Sequence, residues 1–348
     1  MKKITAAALC GILLLTGCGQ KADKPAIKFI SAEKPAAFST EISSGAKNSA
    51  TTQSSKKSRS AKTSAPSPSL PPATNVIAPL CKANALYCVE DGELLYGENS
   101  DVTIAPASLT KLLTASVALK YLKPEEVCLI GSELSLVQPD SSLCLITEGE
   151  QMTLYDLIAG LLLPSGNDAA YSIAVNTARK KSSSSLSDEQ AVTYFVDMMN
   201  DLARDIGMKN THFANPEGWD NDKHYTTAAD LARLGSYALS VPVIRELVST
   251  PEYTTQFISG EFAEWKNGNK LIHPESDYYC EYAIGMKTGM TDNAGCALIA
   301  AFVYNGKTYV TSVVGGMDDR ERYGTTLSLF NRVCPGVYVE ESEPVPEQ

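Results

Sequence analysis

The sequence lacks any apolar run long enough to cross a bilayer: the mostly apolar stretch Ile4 to Leu15 falls short of the roughly 20 residues a spanning helix needs. It holds no Cys-x-x-Cys and no His-x-x-x-His, and its three histidines, His212, His224 and His273, lie far apart, so neither a metal nor a cofactor is expected. It has too little positive charge for a general nucleic-acid binder, since 30 Lys+Arg against 40 Asp+Glu leave −10 and phosphate contacts need a basic face. It shows no internal repeat and no Gly-x-Ser-x-Gly elbow of the kind that marks a Ser-His-Asp hydrolase. With 348 residues, 44% of them apolar, the chain is long enough for about two ordinary domains and too large for a small disulfide scaffold.

The charge is unevenly spread. The first 78 residues are net basic, which leaves −18 on the remainder, an acidic body on a basic lead. Lys2 and Lys3 followed by Ile4 to Leu15 read as the charged and apolar regions of an export signal. The stretch closes with Leu15-Thr16-Gly17-Cys18, which resembles the lipobox of bacterial lipoproteins. That resemblance implies a signal peptide over residues 1–17 and lipid on the sulfur of Cys18, hence an extracytoplasmic protein anchored to the bacterial membrane at its N-terminus. Diacylation would supply the two chains that stable anchoring needs. Residues 19–78 hold 17 Ser/Thr with scattered Pro, Ala and Lys and almost no apolar periodicity, so 18–78 is expected to be a disordered linker carrying the lipidated cysteine.

Seven cysteines remain in the body, Cys81, Cys88, Cys128, Cys144, Cys280, Cys296 and Cys334, in a compartment that permits disulfides. Cys128 and Cys144 flank a segment with a turn at Pro139-Asp140-Ser141-Ser142, and antiparallel flanks would bring their thiols together, so a 128–144 bridge is expected. Cys88 and Cys296 sit inside apolar strand runs and are expected to be free.

Residues 79–348 read as one domain. At its start Ala83 to Glu90, Asp91-Gly92 and Glu93 to Tyr96 form a hairpin pattern, and near its end Cys296 to Tyr304, Asn305-Gly306 and Thr308 to Val314 repeat it. Between and after them lie helical patterns at Ala107 to Tyr121, Leu154 to Leu163, Asp168 to Arg179, Asp188 to Ile206, Thr227 to Leu239 and Arg320 to Val333. The expected fold is α+β: an antiparallel sheet formed by the N- and C-terminal parts of the body and flanked by helices. An all-α subdomain, about 122–245, is inserted in it.

Three short motifs carry chemistry. Ser108-Leu109-Thr110-Lys111 puts a lysine three residues after a serine at a helix start, where it can point at the hydroxyl and activate it if its amine is neutral. Ser165-Gly166-Asn167 lies between two helical patterns, where a turn followed by a cap is the plain reading. Lys287-Thr288-Gly289 presents a cation and a hydroxyl on a strand beside a residue that permits close approach.

In this order the three make up the set of the penicillin-recognising serine enzymes. The wider text, Ala105 to Lys111, Leu161 to Ala170, Gly207 to Phe213 with Asn215 to Gly218, His224 to Thr227 and Gly285 to Asp292, resembles the serine-type D-alanyl-D-alanine carboxypeptidases, the low-molecular-mass penicillin-binding proteins. The resemblance covers nearly all of 83–332. It implies the β-lactamase/transpeptidase-like fold and removal of terminal D-Ala from a peptidoglycan stem peptide ending in D-Ala-D-Ala, with β-lactams as inhibitors. It implies Ser108 as the acylated nucleophile, Lys111 as its base helped to stay neutral by Lys287, Ser165 as the relay to the leaving amine and Asn167 as the holder of the substrate amide. Lys287 and Thr288, beside Gly289, would bind the terminal carboxylate, and the backbone N–H groups of Ser108 and Met290 would form the oxyanion hole.

Departures from the family pattern are Met290 in place of a common His or Tyr, and Asn267-Gly268-Asn269-Lys270-Leu271 without an arginine that some members carry. Arg320 is an extra carboxylate partner by loose alignment. Asp168, His212, Asn215, His224 and Thr227 read as capping and core-lining positions. Transpeptidase, endopeptidase and β-lactamase reactions share the same acylation, although the Glu-x-x-Leu-Asn segment of one large lactamase class is absent. A non-catalytic wall-binding lipoprotein is the reading from a different class.

Overall fold

The computed structural model describes residues 81–182 and 185–337. The expected signal, Cys18 and linker lie outside them.

Strand β1 (Ala83–Cys88) pairs antiparallel with β2 (Glu93–Glu98). A short 3-10 turn, Ala107–Thr110, leads into helix α1 (Lys111–Tyr121). Next come β3 (Val127–Leu129), β4 (Gln151–Thr153), α2 (Leu154–Leu162), α3 (Asn167–Ser182), α4 (Asp188–Asp205), α5 (Ala228–Leu239) and α6 (Pro242–Val248). The chain then forms β5 (Glu252–Gln256), β6 (Phe262–Lys266), β7 (Ala283–Thr291), β8 (Gly295–Tyr304), β9 (Lys307–Gly316) and α7 (Asp319–Asn331). The five-stranded sheet runs β2-β1-β9-β8-β7, so the first and last strands of the domain meet as the sequence led us to expect.

Asn305 (φ 50°) and Gly306 (φ 74°) close β8 onto β9 with both central residues left-handed, the requirement of a two-residue hairpin turn. The first hairpin differs from expectation. Cys88 pairs with Glu93, so its loop has four residues, and only Gly92 (φ 68°) is left-handed; Asp91 in that loop is paired with Lys307 Nζ at 2.7 Å.

The unbroken apolar run of β8 has a simple cause. Ala297, Ile299 and Ala301 pack on the face covered by α5, while Leu298, Ala300 and Phe302 pack on the face covered by α7. Helices α1 to α4 pack beside α5 in the same apolar cluster as the first face, and Phe302 stacks on Phe330 of α7 at 4.1 Å between ring centroids. The helix starts carry their own signals: Thr153 and Thr227 cap α2 and α5, Asp318 caps α7, and Ser187 with Gln190 forms a capping box on α4. Helix α6, seven residues long, and the hairpin β5–β6, whose strands are mostly exposed, carry too little periodicity to stand out in the sequence.

The expected 128–144 disulfide is absent, and all seven cysteines among the described residues are free, Cys88 and Cys296 included. The segment between Cys128 and Cys144 is not a hairpin. Cys128 instead lies opposite Met152 on β4, and Cys144 Sγ donates to Asp168 Oδ1 at 3.2 Å on α3, so the two thiols fill separate buried sites.

Candidate active site

Ser108 sits on a strained turn. The preceding residue, Ala107, is buried yet left-handed (φ 50°), a conformation a non-glycine residue keeps only when its surroundings enforce it. Two glycines clamp that turn. A Cβ on Gly218 (φ 99°) would lie 1.9 Å from the Ala107 carbonyl oxygen, and one on Gly289 would lie 3.1 Å from Ser108 N. From within, Thr110 Oγ1 donates to Ala107 O at 2.8 Å. His224 closes the set: its Nδ1 accepts from Ala214 N (3.1 Å), so Nε2 carries the proton and donates to Thr110 Oγ1 (2.9 Å). Burial holds the His224 pKa down at about 3, and a neutral ring with both nitrogens engaged is a brace for the turn.

Lys111 is fully buried, with Nζ 2.7 Å from Ser108 Oγ, 2.6 Å from Asn167 Oδ1 and 3.0 Å from Glu217 O. Asn167 Oδ1 and Glu217 O can only accept, so a neutral amine gives them its two N–H groups and turns its lone pair to the Ser108 hydroxyl. Burial lowers the Lys111 pKa to about 7, against the opposing pull of Glu217 and Asp168. The charges of Lys111 and Lys287 oppose each other, which adds to the burial that pushes Lys287 well down.

The second motif is brought to the same place by the α2–α3 junction. Ser165 is left-handed (φ 68°), its carbonyl takes the Ser142 hydroxyl at 2.6 Å, and its side chain lines the cleft. Asn167 opens α3; with Oδ1 on Lys111, its Nδ2 donates one hydrogen to Ser141 Oγ (2.9 Å) and keeps a second. Asp168 ties the 144–146 backbone to the helix start through N–H donors of Cys144, Leu145 and Ile146 at 3.0, 2.9 and 3.3 Å.

Strand β7 forms the opposite wall. Thr288, Gly289 and Met290 line the cleft, with Met290 70% exposed, whereas Lys287 is buried behind them and donates to Thr288 O at 2.9 Å. The cleft has a volume of about 1080 Å³. Arg320 is exposed on the first turn of α7 and is not part of the cleft lining. Arg322, two residues on, is the arginine that α7 turns to the cleft: its Nη1 lies 3.4 Å from Gly289 O and its buried Nε has no partner. The 3.6-residue period of a helix does not say which face meets a strand, and here it is Arg322 and not Arg320 that reaches the cleft lining.

Sequence reasoning singled out neither Glu217 nor Gly218 as site residues. Both belong to the loop between α4 and α5, shaped by Asn215, whose Oδ1 takes the N–H groups of Gly218 (2.8 Å) and Trp219 (3.2 Å). The family-like text Asn215-Pro-Glu-Gly218 was the only signal for them. His212 Nδ1 contacts Lys223 O at 2.6 Å away from the serine. Among the described residues no cluster of three or more His, Cys, Asp or Glu is arranged to hold a metal ion.

The family model described as D-alanyl-D-alanine carboxypeptidase matches residues 74–319. A protein of that name from Streptomyces sp. (strain K15) is 30% identical over 271 residues, covering 75% of this chain and 90% of its own. D-alanyl-D-alanine carboxypeptidase DacA of Escherichia coli (strain K12) is 33% identical over 249 residues, 69% of this chain but 57% of its own, so the chain spans little more than half of that relative. Among solved structures, the Streptomyces K15 DD-transpeptidase superposes with a TM-score of 0.68 at 28% identity, covering 74% of this chain and 98% of its own. Penicillin binding protein 6B from Escherichia coli does so with 0.65 at 26% identity, covering 77% and 80%.

Proposed function

The chain belongs to the D-alanyl-D-alanine carboxypeptidase family, and on that premise we propose that it is a serine peptidase which removes the terminal D-Ala from peptidoglycan stem peptides through an acyl-enzyme on Ser108. The observation that carries the reading is the buried Lys111 amine 2.7 Å from Ser108 Oγ, with a pKa near 7. At neutral pH a large fraction of that amine is unprotonated and takes the hydroxyl proton as Ser108 attacks the penultimate carbonyl. Ser165 passes the proton to the departing D-Ala amine. The N–H groups of Ser108 and Met290 receive the oxyanion, which the close packing of Gly289 on Ser108 N supports. The free hydrogen of Asn167 Nδ2 holds the substrate amide, while Thr288, Lys287 and Arg322 take the terminal carboxylate, whose arrival restores the charge that burial suppresses on Lys287. Water then releases the acyl group, with Lys111 again as base.

The intact Ser108–Lys111–Asn167 set argues against a non-catalytic wall-binding role. A penicillin enters the same cleft as a substrate mimic, so it is expected to add its mass to the enzyme and to leave Ser108→Ala unmodified; an adduct on Ser108→Ala would reject the nucleophile. D-Ala release from a pentapeptide, measured with and without an added amine acceptor, separates hydrolysis from the transfer for which the Streptomyces K15 DD-transpeptidase is named. The reading includes an extracytoplasmic location with lipid on Cys18. Cys18→Ser is then expected to move the protein from the membrane fraction to the soluble one, and unchanged fractionation would reject the anchor.

A further inference from the structure

Lys111 spends every polar contact on uncharged partners, the Ser108 hydroxyl, the Asn167 amide and the Glu217 carbonyl, and none on a carboxylate. The charged and titratable groups around it come from four elements. Asp168, on α3, is committed: its two oxygens take the N–H groups of Cys144, Leu145, Ile146 and Ala169 and so hold the 144–146 segment. The Cys144 thiol is pushed well up by burial and stays neutral. Lys287, on β7, is buried and pushed down.

The fourth group is Glu217, and its side chain is otherwise unexplained. The residue is 1% exposed, Oε1 accepts from Tyr171 OH at 2.9 Å, and Oε2 has no partner. Its backbone carbonyl already holds the Lys111 amine, so the carboxyl is not needed for that. A buried carboxyl with an orphaned oxygen costs stability, and such a group beside a catalytic amine acts on it through the field. We infer that the Glu217 carboxyl, together with the Tyr171 hydroxyl that bonds it, is a positioning pair that sets the proton affinity of Lys111 and hence the pH range over which Ser108 is acylated. An ionised Glu217 favours the charged lysine and moves the acid limb of acylation upward; removing that charge moves the limb downward. Burial raises the Glu217 pKa, and the Lys111 charge and then the Tyr171 hydroxyl work against that rise by favouring the ionised carboxyl, so Tyr171 acts in the same direction more weakly.

This inference rests on Lys111 being the base. The experiment is the rate of acylation by a fluorescent penicillin between pH 5 and 9 for the wild type, Glu217→Gln and Tyr171→Phe, each scaled to its own plateau. Glutamine keeps the shape and an oxygen for Tyr171 while losing the charge. The expected result for Glu217→Gln is a limb at least half a unit lower, about a threefold gain in scaled rate at a pH on the wild-type limb. Tyr171→Phe is expected to shift the same way by less. Limbs that superimpose on the wild type, whatever the plateaus do, would overturn the inference, and Tyr171→Phe decides it alone should Glu217→Gln not fold. A wild type with no acid limb in this range would overturn the role of Lys111 as base and this inference with it, an outcome distinct from a limb that is present and unmoved.

Discussion

Gly218→Ala isolates the clamp on the nucleophile turn. The added methyl would lie 1.9 Å from Ala107 O and 2.8 Å from Ser108 N, both backbone atoms. Relief of the first contact needs a separation of about 1 Å or more, given that such contacts normally sit beyond about 3 Å. The turn has nowhere to retreat, because Gly289 backs Ser108 N and Thr110 Oγ1 holds Ala107 O. Displacement of a reacting atom by about 1 Å costs on the order of 100-fold in rate. The left-handed strain and overpacking add about 2 kcal/mol of destabilisation, roughly 4–8 °C in melting temperature for a domain of this size. Gly207→Ala is the control: its φ of 83° is as unsuitable for alanine, but no atom lies within 4 Å of the added methyl. It should lose up to about 2 kcal/mol of stability and keep the acylation rate. The assay is second-order acylation by a fluorescent penicillin at a temperature where both variants are folded, beside thermal melts. Equal acylation by Gly218→Ala and Gly207→Ala would refute the clamp.

Lys111→Arg keeps the charge but cannot supply a neutral amine, since guanidinium stays protonated above about pH 12, so acylation should be abolished; a retained rate rejects the base. The folded pKa of Lys111, about 7, lies below its ordinary 10.5, so between those values the unfolded chain holds the extra proton and stability rises with pH. Urea denaturation of wild type against Lys111→Met should therefore show a difference that grows in favour of the wild type from pH 7 toward 10, at up to ~1.4 kcal/mol per unit; a flat difference contradicts a depressed lysine. The seven buried free thiols should resist alkylation in the folded domain and all react on unfolding without reductant; a shortfall of two would reveal a bridge.

Much of the fold was legible because local chemistry and tertiary demand agree. Asn305-Gly306 makes one kind of turn, Ser187 with Gln190 makes a helix start, and the doubly buried β8 can only be apolar throughout. The three motifs were legible because each is short and contiguous, so the side chains that must meet Ser108 come in recognisable words. What the sequence determined, then, is the order of the main elements and the three motifs whose groups are proposed to act. Only the tertiary structure decided the rest. Cys128 and Cys144 fill separate sites because the segment between them packs its Ser132–Leu136 turn on α3 and α4 instead of folding on itself. Arg322 faces the cleft in place of Arg320 because the sheet fixes the rotation of α7. Gly218 and Glu217 gain their meaning from a loop more than a hundred residues from Ser108 that lands on its turn. Burial, which shifts the proton affinity of Lys111 toward neutrality, belongs to the packing of all these elements around one amine and is written in no single stretch of the chain.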